Sequence, residues 1–356
     1  MKARLINNQT PTGSRTRLAD ELPLATPYLF QVFPVYACNF KCNYCVLSLP
    51  KTQRGYISDS KFLDTMLYRK CIDDLAQFPE KLRMLRFAGT GEPLLHPDIV
   101  KMIVYAAQAD IADSIDIVTN GAMLTPELSQ GLVKAGTSRI RVSIQGVTPG
   151  QYHRTTGTYS DIDKIIDNLT YLYRIRDKTE VYVKIIDSAM ESSTDETEFY
   201  RLFGDIADVI AIEHLLPASP LIDYTRIAGA ATMHKTQNGA TISNAEVCPQ
   251  PFYMLQLNPD AMIVPCCGME SPTMTGNAAQ RSLTEIWNGQ EFNHFRRLHL
   301  EGGRNRNPVC ANCQQFRHAM FPEDVLDENT KNLLDEYPIP TQTVIPIAPG
   351  RSAEEK

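Results

Sequence analysis

Three cysteines near the start of the chain have a spacing suited to iron–sulfur chemistry. Cys38, Cys42 and Cys45 form a C-x3-C-x2-C run, which brings three thiolates close enough to bind three irons of one cluster. Such clusters are normally held by four Cys thiolates, so this loop leaves one iron able to bind something other than protein. Zinc ligands usually come as C-x2-C with a second pair soon after, and no fourth Cys or His follows nearby. The spacing favours a cluster over the alternative, a zinc site.

A second set of cysteines lies in the last third of the chain. Cys248, Cys266, Cys310 and Cys313 end in a C-x2-C pair, and four such ligands can complete either a [4Fe–4S] site or a zinc site. Cys267 is surplus to this count. It either replaces Cys266 as a ligand, donates a hydrogen atom, or packs without reacting, and packing is the default interpretation.

Composition limits the class of protein. The 356 residues, 43% hydrophobic and 21% charged, are enough for one large α/β domain and a smaller one. No apolar run approaches the roughly 18 residues of a membrane span, and the polar start of the chain has no secretion signal. We therefore expect a cytoplasmic protein. Its nine cysteines fit metal binding or catalysis better than disulfides.

The charge balance bears on possible partners. The formal net charge is −6, with 41 acidic and 35 basic residues and no run of Lys or Arg. Phosphate backbones usually require a basic surface, so a nucleic-acid substrate is not expected.

The hydrophobic pattern must then position the cysteines. Strand and helix patterns alternate about six times between residues 28 and 213, which predicts a parallel sheet with helices outside. The cluster loop follows the first strand, where α/β barrels place their chemistry. One predicted helix covers Thr197 to Ala207, and Cys71 lies on the buried stripe of another. The expected divisions are a polar lead (1–27), the strand–helix region (28–213), a linker or lid (214–247), a Cys-bearing domain (248–318) and a loosely ordered tail (319–356).

Polar residues follow several predicted strands. After the second strand comes Gly89-Thr90-Gly91-Glu92-Pro93, in which glycines let the backbone approach a ligand and the carboxylate can take an ammonium group. The third strand ends in Thr119-Asn120-Gly121 and the fourth in Ser143-Ile144-Gln145-Gly146. Lys184 interrupts an apolar run on the fifth strand. Each feature alone is as compatible with an ordinary polar turn or a solvated edge residue.

Taken in order, these features resemble the radical S-adenosylmethionine (radical SAM) superfamily, including the aromatic Tyr44 before the last loop cysteine. The resemblance implies an α/β fold, a partial (β/α)6 TIM-like barrel whose [4Fe–4S] cluster binds the methionine part of SAM. Electron transfer from the cluster cleaves SAM to a 5'-deoxyadenosyl radical, which abstracts a hydrogen atom from the substrate. The cofactor-binding residues that it implies are Tyr44, Gly89, Thr90, Gly91, Glu92, Asn120, Ser143, Gln145 and Lys184. Many relatives carry an Arg where this chain has Thr156 before Gly157, so Arg154 or another group must hold the SAM carboxylate.

The sequence around the second cysteine set resembles the SPASM/Twitch extension of radical SAM proteins. It is similar to the shorter Twitch form, which implies one auxiliary [4Fe–4S] cluster held by Cys248, Cys266, Cys310 and Cys313. A fully ligated cluster cannot bind substrate through iron, so the expected role is electron transfer.

The spacing is most similar to that of aminocyclitol dehydrogenases and related sugar-modifying enzymes. This similarity favours a radical SAM oxidoreductase that oxidises or epimerises a small sugar, aminocyclitol or sugar nucleotide, with an electron donor such as flavodoxin or ferredoxin. The alternatives are a peptide or protein maturase and, from another class, a non-catalytic metal-binding scaffold. Candidates for proton or hydrogen-atom transfer are Tyr152, His153, Arg154, His214 and Cys267.

Overall fold

One sheet organises the molecule. The computed structural model describes residues 1–6, 15–54, 60–229, 232–268 and 270–339. Its strands in chain order are β1 (Arg4–Leu5), β2 (Leu29–Val32), β3 (Met84–Phe87), β4 (Ile115–Thr119), β5 (Arg139–Ile144), β6 (Glu180–Ile186), β7 (Val209–Glu213), β8 (Met254–Leu257), β9 (Met262–Val264) and β10 (Gly276–Asn277).

Strand order confirms the predicted partial barrel. Within the described residues the order is β1-β7-β6-β5-β4-β3-β2-β8-β9-β10. All pairs from β1 to β8 are parallel, and β9 and β10 add antiparallel strands beyond β8. The six consecutive strands β2 to β7 are those that the alternating pattern predicts. The sheet stays open, with β1 and β10 at its edges.

Helices cover one face of the sheet. In chain order they are α1 (Leu18–Glu21), α2 (Thr65–Leu75), α3 (Ile99–Ala109), α4 (Pro126–Lys134), α5 (Pro149–Thr156), α6 (Ile162–Ile175), α7 (Ser193–Phe203), α8 (Tyr224–Ala228), α9 (Gln250–Tyr253), α10 (Leu283–Trp287), α11 (Gln290–Leu300), α12 (Pro308–Asn312), α13 (Gln315–Ala319) and α14 (Thr330–Glu336). Cys71 of α2 is fully buried in the core, as predicted.

The two faces of the sheet differ in polarity. Alternate residues of each strand, such as Leu85, Phe87 and Ile117, join the main apolar core under the helices. The residues between them point to the inner face, and many are polar or charged. Parallel strands are usually apolar on both faces, so the polar inner face marks a surface that does more than pack. We call the space that this face encloses the lumen.

Both ends of the chain are more structured than the sequence suggests. In the predicted polar lead, β1 pairs with β7, with Arg4 N donating to Asp208 O at 2.9 Å. In the predicted loose tail, α14 packs because Leu333 is buried against a cluster that contains Phe252. Neither contact gives a periodic pattern in the sequence, because the first depends on backbone hydrogen bonds of a two-residue strand and the second on a few apolar side chains. The rest of the tail, 340–356, and residues 7–14 of the lead lie outside the described residues.

One helix is displaced from its predicted position. The helix predicted over Thr197 to Ala207 is α7, which begins at Ser193 and ends at Phe203. Ser192 sets the start because its side chain accepts a hydrogen bond from Asp195 N. The prediction followed apolar spacing and missed this cap.

Candidate active site

The three cysteines of the first run lie on a loop held by backbone hydrogen bonds. Cys45 N donates to Cys42 O at 2.8 Å, and Lys41 N donates to Thr156 O at 2.9 Å. All three thiols are partly buried and free. Burial raises the pKa of Cys38 to about 11 and that of Cys42 to about 12. Without a metal these groups are therefore neutral thiols at pH 7, and their ionisation calls for a ligated metal.

The Gly89–Pro93 loop packs directly against the cluster loop. Glu92 N donates to Ala37 O at 2.8 Å. Gly91 has φ +152°, and a Cβ built on it would lie 2.0 Å from Val35 O. At Gly89 a Cβ would lie 2.1 Å from the Phe33 ring. Both glycines are therefore needed for the close approach of two loops, whether or not they also contact SAM.

Glu92 is buried at the centre of this arrangement. Its carboxylate accepts from Leu94 N at 3.0 Å, Thr119 Oγ1 at 2.7 Å and Asn120 N at 2.8 Å. Burial raises the pKa of Glu92, and these three hydrogen bonds oppose the rise. A carboxylate has about four acceptor positions, so room remains for one more donor such as an ammonium group. Binding of the SAM ammonium group by Glu92 thus stays a prediction. Most of the acceptor positions of its carboxylate are already occupied by donors of the protein.

Polar side chains at the ends of β4 and β5 reach the cluster loop. Asn120 Nδ2 donates to Asn39 Oδ1 at 2.7 Å and lies 3.8 Å from Cys38 Sγ. Tyr44 OH donates to Gln145 Oε1 at 2.7 Å. The structure therefore brings the predicted SAM-contacting residues Asn120, Gln145 and Tyr44 together beside the cysteines. Asn39, which the sequence did not single out, belongs to the same group.

Lys184 is not a solvated edge residue, and its predicted contact with the SAM carboxylate or the substrate stays a prediction. It faces the lumen beside Ser143, its register partner on β5. Its ammonium donates to Glu213 Oε2 at 2.5 Å. Glu213 also accepts from Tyr182 OH at 2.9 Å and from Gln237 Nε2 at 2.6 Å. Lys184 is thus one member of a buried polar network at the ends of β6 and β7.

The second cysteine set lines one cavity. Cys248, Cys266, Cys310 and Cys313 all line one pocket. Burial raises the pKa of all four, that of Cys310 to about 12. Among the described residues no group of three or more His, Cys, Asp or Glu side chains converges tightly enough for a single metal ion. Four cysteines at one pocket can supply all the protein ligands of an iron–sulfur cluster.

Two polar residues beside this cavity were not predicted. Arg304 is buried, and its guanidinium donates to Cys310 O. His299 is buried too, with Nε2 3.9 Å from Cys310 Sγ. Burial, with the charge of Arg304, lowers the pKa of His299 to about 3, so the ring is neutral. No spacing rule identifies these residues, because each comes to the cysteines through tertiary packing.

Three of the five catalytic candidates do not fit their predicted role. Tyr152 is fully buried, with its ring edge-on to Phe40. His153 stacks on the exposed Tyr159. Arg154 is exposed and pairs with Glu191, so it is not available to hold the SAM carboxylate. All three lie on α5, and their helical spacing directs them into the core or towards solvent.

The other two candidates, His214 and Cys267, lie in different parts of the molecule. His214 follows β7, and its Nδ1 lies 2.7 Å from Asp187 Oδ2. It lines a polar pocket together with Glu213 and Gln237. Cys267 does not line the four-cysteine cavity. It lies near Gln250 and Gln315, with Gln315 Nε2 3.5 Å from its Sγ.

Comparison with known protein families matches two parts of the chain. Residues 32–188 match the radical SAM superfamily, and residues 248–314 match the SPASM iron–sulfur cluster-binding domain. The chain is a radical SAM protein with a SPASM domain. The predicted family, fold class and cofactors are confirmed, since these domains imply SAM, a [4Fe–4S] cluster and auxiliary iron–sulfur ligation.

Individual known proteins resemble the chain at low identity. The chain is 24% identical over 318 residues, 78% of its length and 84% of the relative's, to a tungsten-containing aldehyde ferredoxin oxidoreductase cofactor-modifying protein of Pyrococcus furiosus. The structure of BtrN in complex with AdoMet and 2-DOIA has a TM-score of 0.53 at 19% identity, covering 81% of this chain and 92% of BtrN. Streptococcus suis SuiB bound to its precursor peptide SuiA has a TM-score of 0.59 at 14% identity, covering 78% and 69%.

The radical SAM domain has a charged lumen that sequence analysis missed. Inward-facing residues from β8 to β7 include Gln256, Gln31, Arg86, Asp116, Arg139, Arg141, Glu180, Lys184 and Glu213. The signal was present as a single charge, Arg86, within Met84–Phe87 and as charges at alternate positions, Arg139 and Arg141, in Arg139–Ile144. Within the described residues, no helix is long and apolar enough to cross a membrane.

Proposed function

We propose that this radical SAM enzyme oxidises or epimerises a small polar substrate: a sugar, an aminocyclitol or a sugar nucleotide. When bound, SAM and its [4Fe–4S] cluster supply a 5'-deoxyadenosyl radical that abstracts a hydrogen atom from the substrate. In an oxidation, a base of this chain would accept the hydroxyl proton, and a cluster held by the second cysteine set would accept one electron from the substrate. The observation that carries the proposal is the polar inner face of the sheet, which suits a ligand rich in hydroxyl or charged groups.

The proposal assigns cluster ligands and SAM contacts to residues of this chain. Cys38, Cys42 and Cys45 hold the SAM-binding cluster, and the four cysteines of the second set hold the auxiliary cluster. SAM is held by residues near the cluster loop: Tyr44, Gly89, Thr90, Gly91, Glu92, Asn120, Ser143 and Gln145. A ferredoxin or flavodoxin supplies the electrons.

His214 is the proposed base for the hydroxyl proton. Asp187 Oδ2 lies 2.7 Å from its Nδ1, so Nε2 is the ring nitrogen left for a substrate, and His214 lines a polar pocket. A carboxylate on one ring nitrogen fixes the tautomer that lets the other nitrogen accept a proton. Cys267 is the proposed hydrogen-atom donor if the reaction is an epimerisation.

Support from relatives divides between two substrate classes. The Pyrococcus relative is described as modifying a cofactor, and BtrN was solved with the small molecule 2-DOIA. SuiB, in contrast, was solved with a precursor peptide. The identities are low, and a modified peptide is therefore the second candidate substrate.

Release of 5'-deoxyadenosine by the anaerobically reconstituted enzyme distinguishes these substrates. Aminocyclitols and nucleotide sugars are compared with short peptides, with SAM and reductant present. Stimulation by one polyol, with a product lighter by the mass of two hydrogens, supports oxidation. Unchanged mass with solvent deuterium incorporated indicates epimerisation. Stimulation by peptides alone contradicts the small-molecule proposal.

A further inference from the structure

One lumen guanidinium lacks a counter-charge. Arg86, on the inner face of β3, has no carboxylate within ion-pair distance among the described residues. One of its terminal nitrogens contacts Met84 Sδ at 2.9 Å, and a thioether is only a weak acceptor. Its Nε is buried and has no hydrogen-bond partner in the described part of the chain. Arginine is usually buried with its donors satisfied, so this arrangement needs a reason.

The neighbouring charges are already paired with one another. Arg141 Nη2 lies 3.0 Å from Asp116 Oδ2. Arg139 lies 2.5 Å from Glu180 and 3.7 Å from Asp116. Of the guanidiniums of Arg86, Arg139 and Arg141, only the last two pair with Asp116 or Glu180. Among the residues that the structure describes, Arg86 is left without a carboxylate partner. The local charge is positive.

Electrostatics make this positive charge receptive to an anion. Burial, with the charge of Arg141, lowers the pKa of Arg86 to about 10, so Arg86 is still protonated at pH 7. A desolvated cation without a partner is costly. A planar guanidinium with free N–H groups matches the oxygens of a phosphate or carboxylate. An incoming oxyanion would satisfy both the charge and the orphaned donor.

We infer that Arg86 binds an anionic oxygen group, a phosphate or carboxylate, of the substrate. The inference rests on the proposed function and narrows it to a sugar phosphate, sugar nucleotide or sugar acid. Besides Arg141 and Asp116, the groups that act most on Arg86 are Cys267 and Tyr253, which lie next to or on SPASM elements. Asn120 and Gln145, by contrast, lie beside the cluster loop. Arg86 is therefore placed for the substrate rather than for the carboxylate of SAM.

Binding of simple anions to the SAM-loaded holoenzyme tests this role. Calorimetry with inorganic pyrophosphate and with malonate compares wild type with R86Q, and with R201Q as a matched control on the exposed face of α7. We expect wild type to bind at least one anion, and R86Q to bind it roughly 10- to 100-fold more weakly, as loss of a charge-assisted bond implies. The R201Q variant should match wild type, and SAM affinity should be unchanged in all three. Preference for pyrophosphate or malonate separates a phosphate from a carboxylate.

Several outcomes would overturn the inference. These are absence of anion binding by wild type, equal binding by R86Q, or an R86Q defect in SAM affinity, which would assign Arg86 to the SAM carboxylate. If R86Q loses its iron, the R86K variant is measured instead. Lysine keeps the positive charge but cannot make the two parallel hydrogen bonds of a guanidinium. R86K that binds the anion as tightly as wild type would contradict the assignment. Substrate-independent 5'-deoxyadenosine release is measured in the same preparations. If the wild-type enzyme releases no 5'-deoxyadenosine, the proposed function is overturned. The measurement of anion binding by Arg86 is unaffected by that outcome.

Discussion

A single carboxylate shows how the lumen keeps buried charges stable. Glu213 accepts hydrogen bonds from Tyr182, Lys184 and Gln237. Burial alone would raise the pKa of Glu213, but Lys184 and the hydrogen bonds outweigh it and the pKa is lowered. The folded protein therefore favours the ionised form more strongly than the unfolded chain does.

Replacing Glu213 by Gln should lower stability in a pH-dependent way. At pH 7 we expect E213Q to lose about 2–4 kcal/mol in free energy of unfolding, because Lys184 is left without its counter-charge. For a lowered carboxyl pKa the stabilisation is fully present above the usual value of 4.5 and is lost as pH falls through the lower folded value. Denaturant unfolding of both proteins across this range measures the difference. The control variant E198Q, at an exposed position, should change the free energy of unfolding little. A difference in this free energy between E213Q and wild type that stays constant with pH would contradict the account.

Arg304 is predicted to set the potential of the auxiliary cluster. It is a buried cation at the cavity of the second cysteine set, and positive charge near a cluster favours its reduced form. R304Q should therefore lower the reduction potential by an amount on the order of tens of millivolts. A redox titration monitored by electron paramagnetic resonance measures this reduction potential. The exposed neighbour gives the control R306Q, and equal shifts in both variants would argue against a local effect.

At the scale of elements, the loop after β3 meets backbone most closely at Gly91. The carbonyl of Val35 occupies the space that a Cβ of Gly91 would need. The same loop joins Glu92 to the cluster loop through Ala37. A side chain here must displace the backbone that presents the three cysteines.

G91A should therefore be much more harmful than alanine at another left-handed glycine. Gly302 has φ +69° with nothing within 4 Å of a built Cβ, so G302A should cost only the roughly 1–2 kcal/mol of the backbone conformation. G91A adds a backbone clash and should also reduce iron bound at the first cluster. Thermal unfolding and iron content compare the two. Similar results for both glycines would show that the loops are not tightly joined.

Helices and strands were predictable where a local sequence pattern determines them. They were less predictable where contacts with distant residues determine them. Alternation of apolar residues gives β2 to β7, and the cap at Thr125 before Pro126 gives the start of α4. Pairing of β1 with β7, and the burial of Leu333, depend on distant partners and leave little periodic trace. The same holds for Tyr152, whose helix position, rather than its chemistry, puts it in the core.

For the whole molecule, the order of the cysteine sets and the polar strand ends along the chain can be predicted from the sequence. The face of the sheet on which they lie cannot. Both cysteine sets and the polar strand ends were predictable from spacing and family resemblance. The charged lumen was not, because a parallel strand is buried on both sides and alternation alone does not say which side encloses a cavity. Arg86 and Asp116 become neighbours only through the register of β3 with β4.

The central claim is that the first three cysteines support SAM cleavage, and 5'-deoxyadenosine release tests it most directly. Anaerobically reconstituted wild type, C45A and the core-thiol control C71A are compared with SAM and dithionite. The account predicts release by wild type and C71A, and loss of release by C45A while iron at the second cysteine set is retained. Wild-type protein that holds its iron and binds SAM yet releases no 5'-deoxyadenosine, or C45A that releases it at the wild-type rate, would contradict the account.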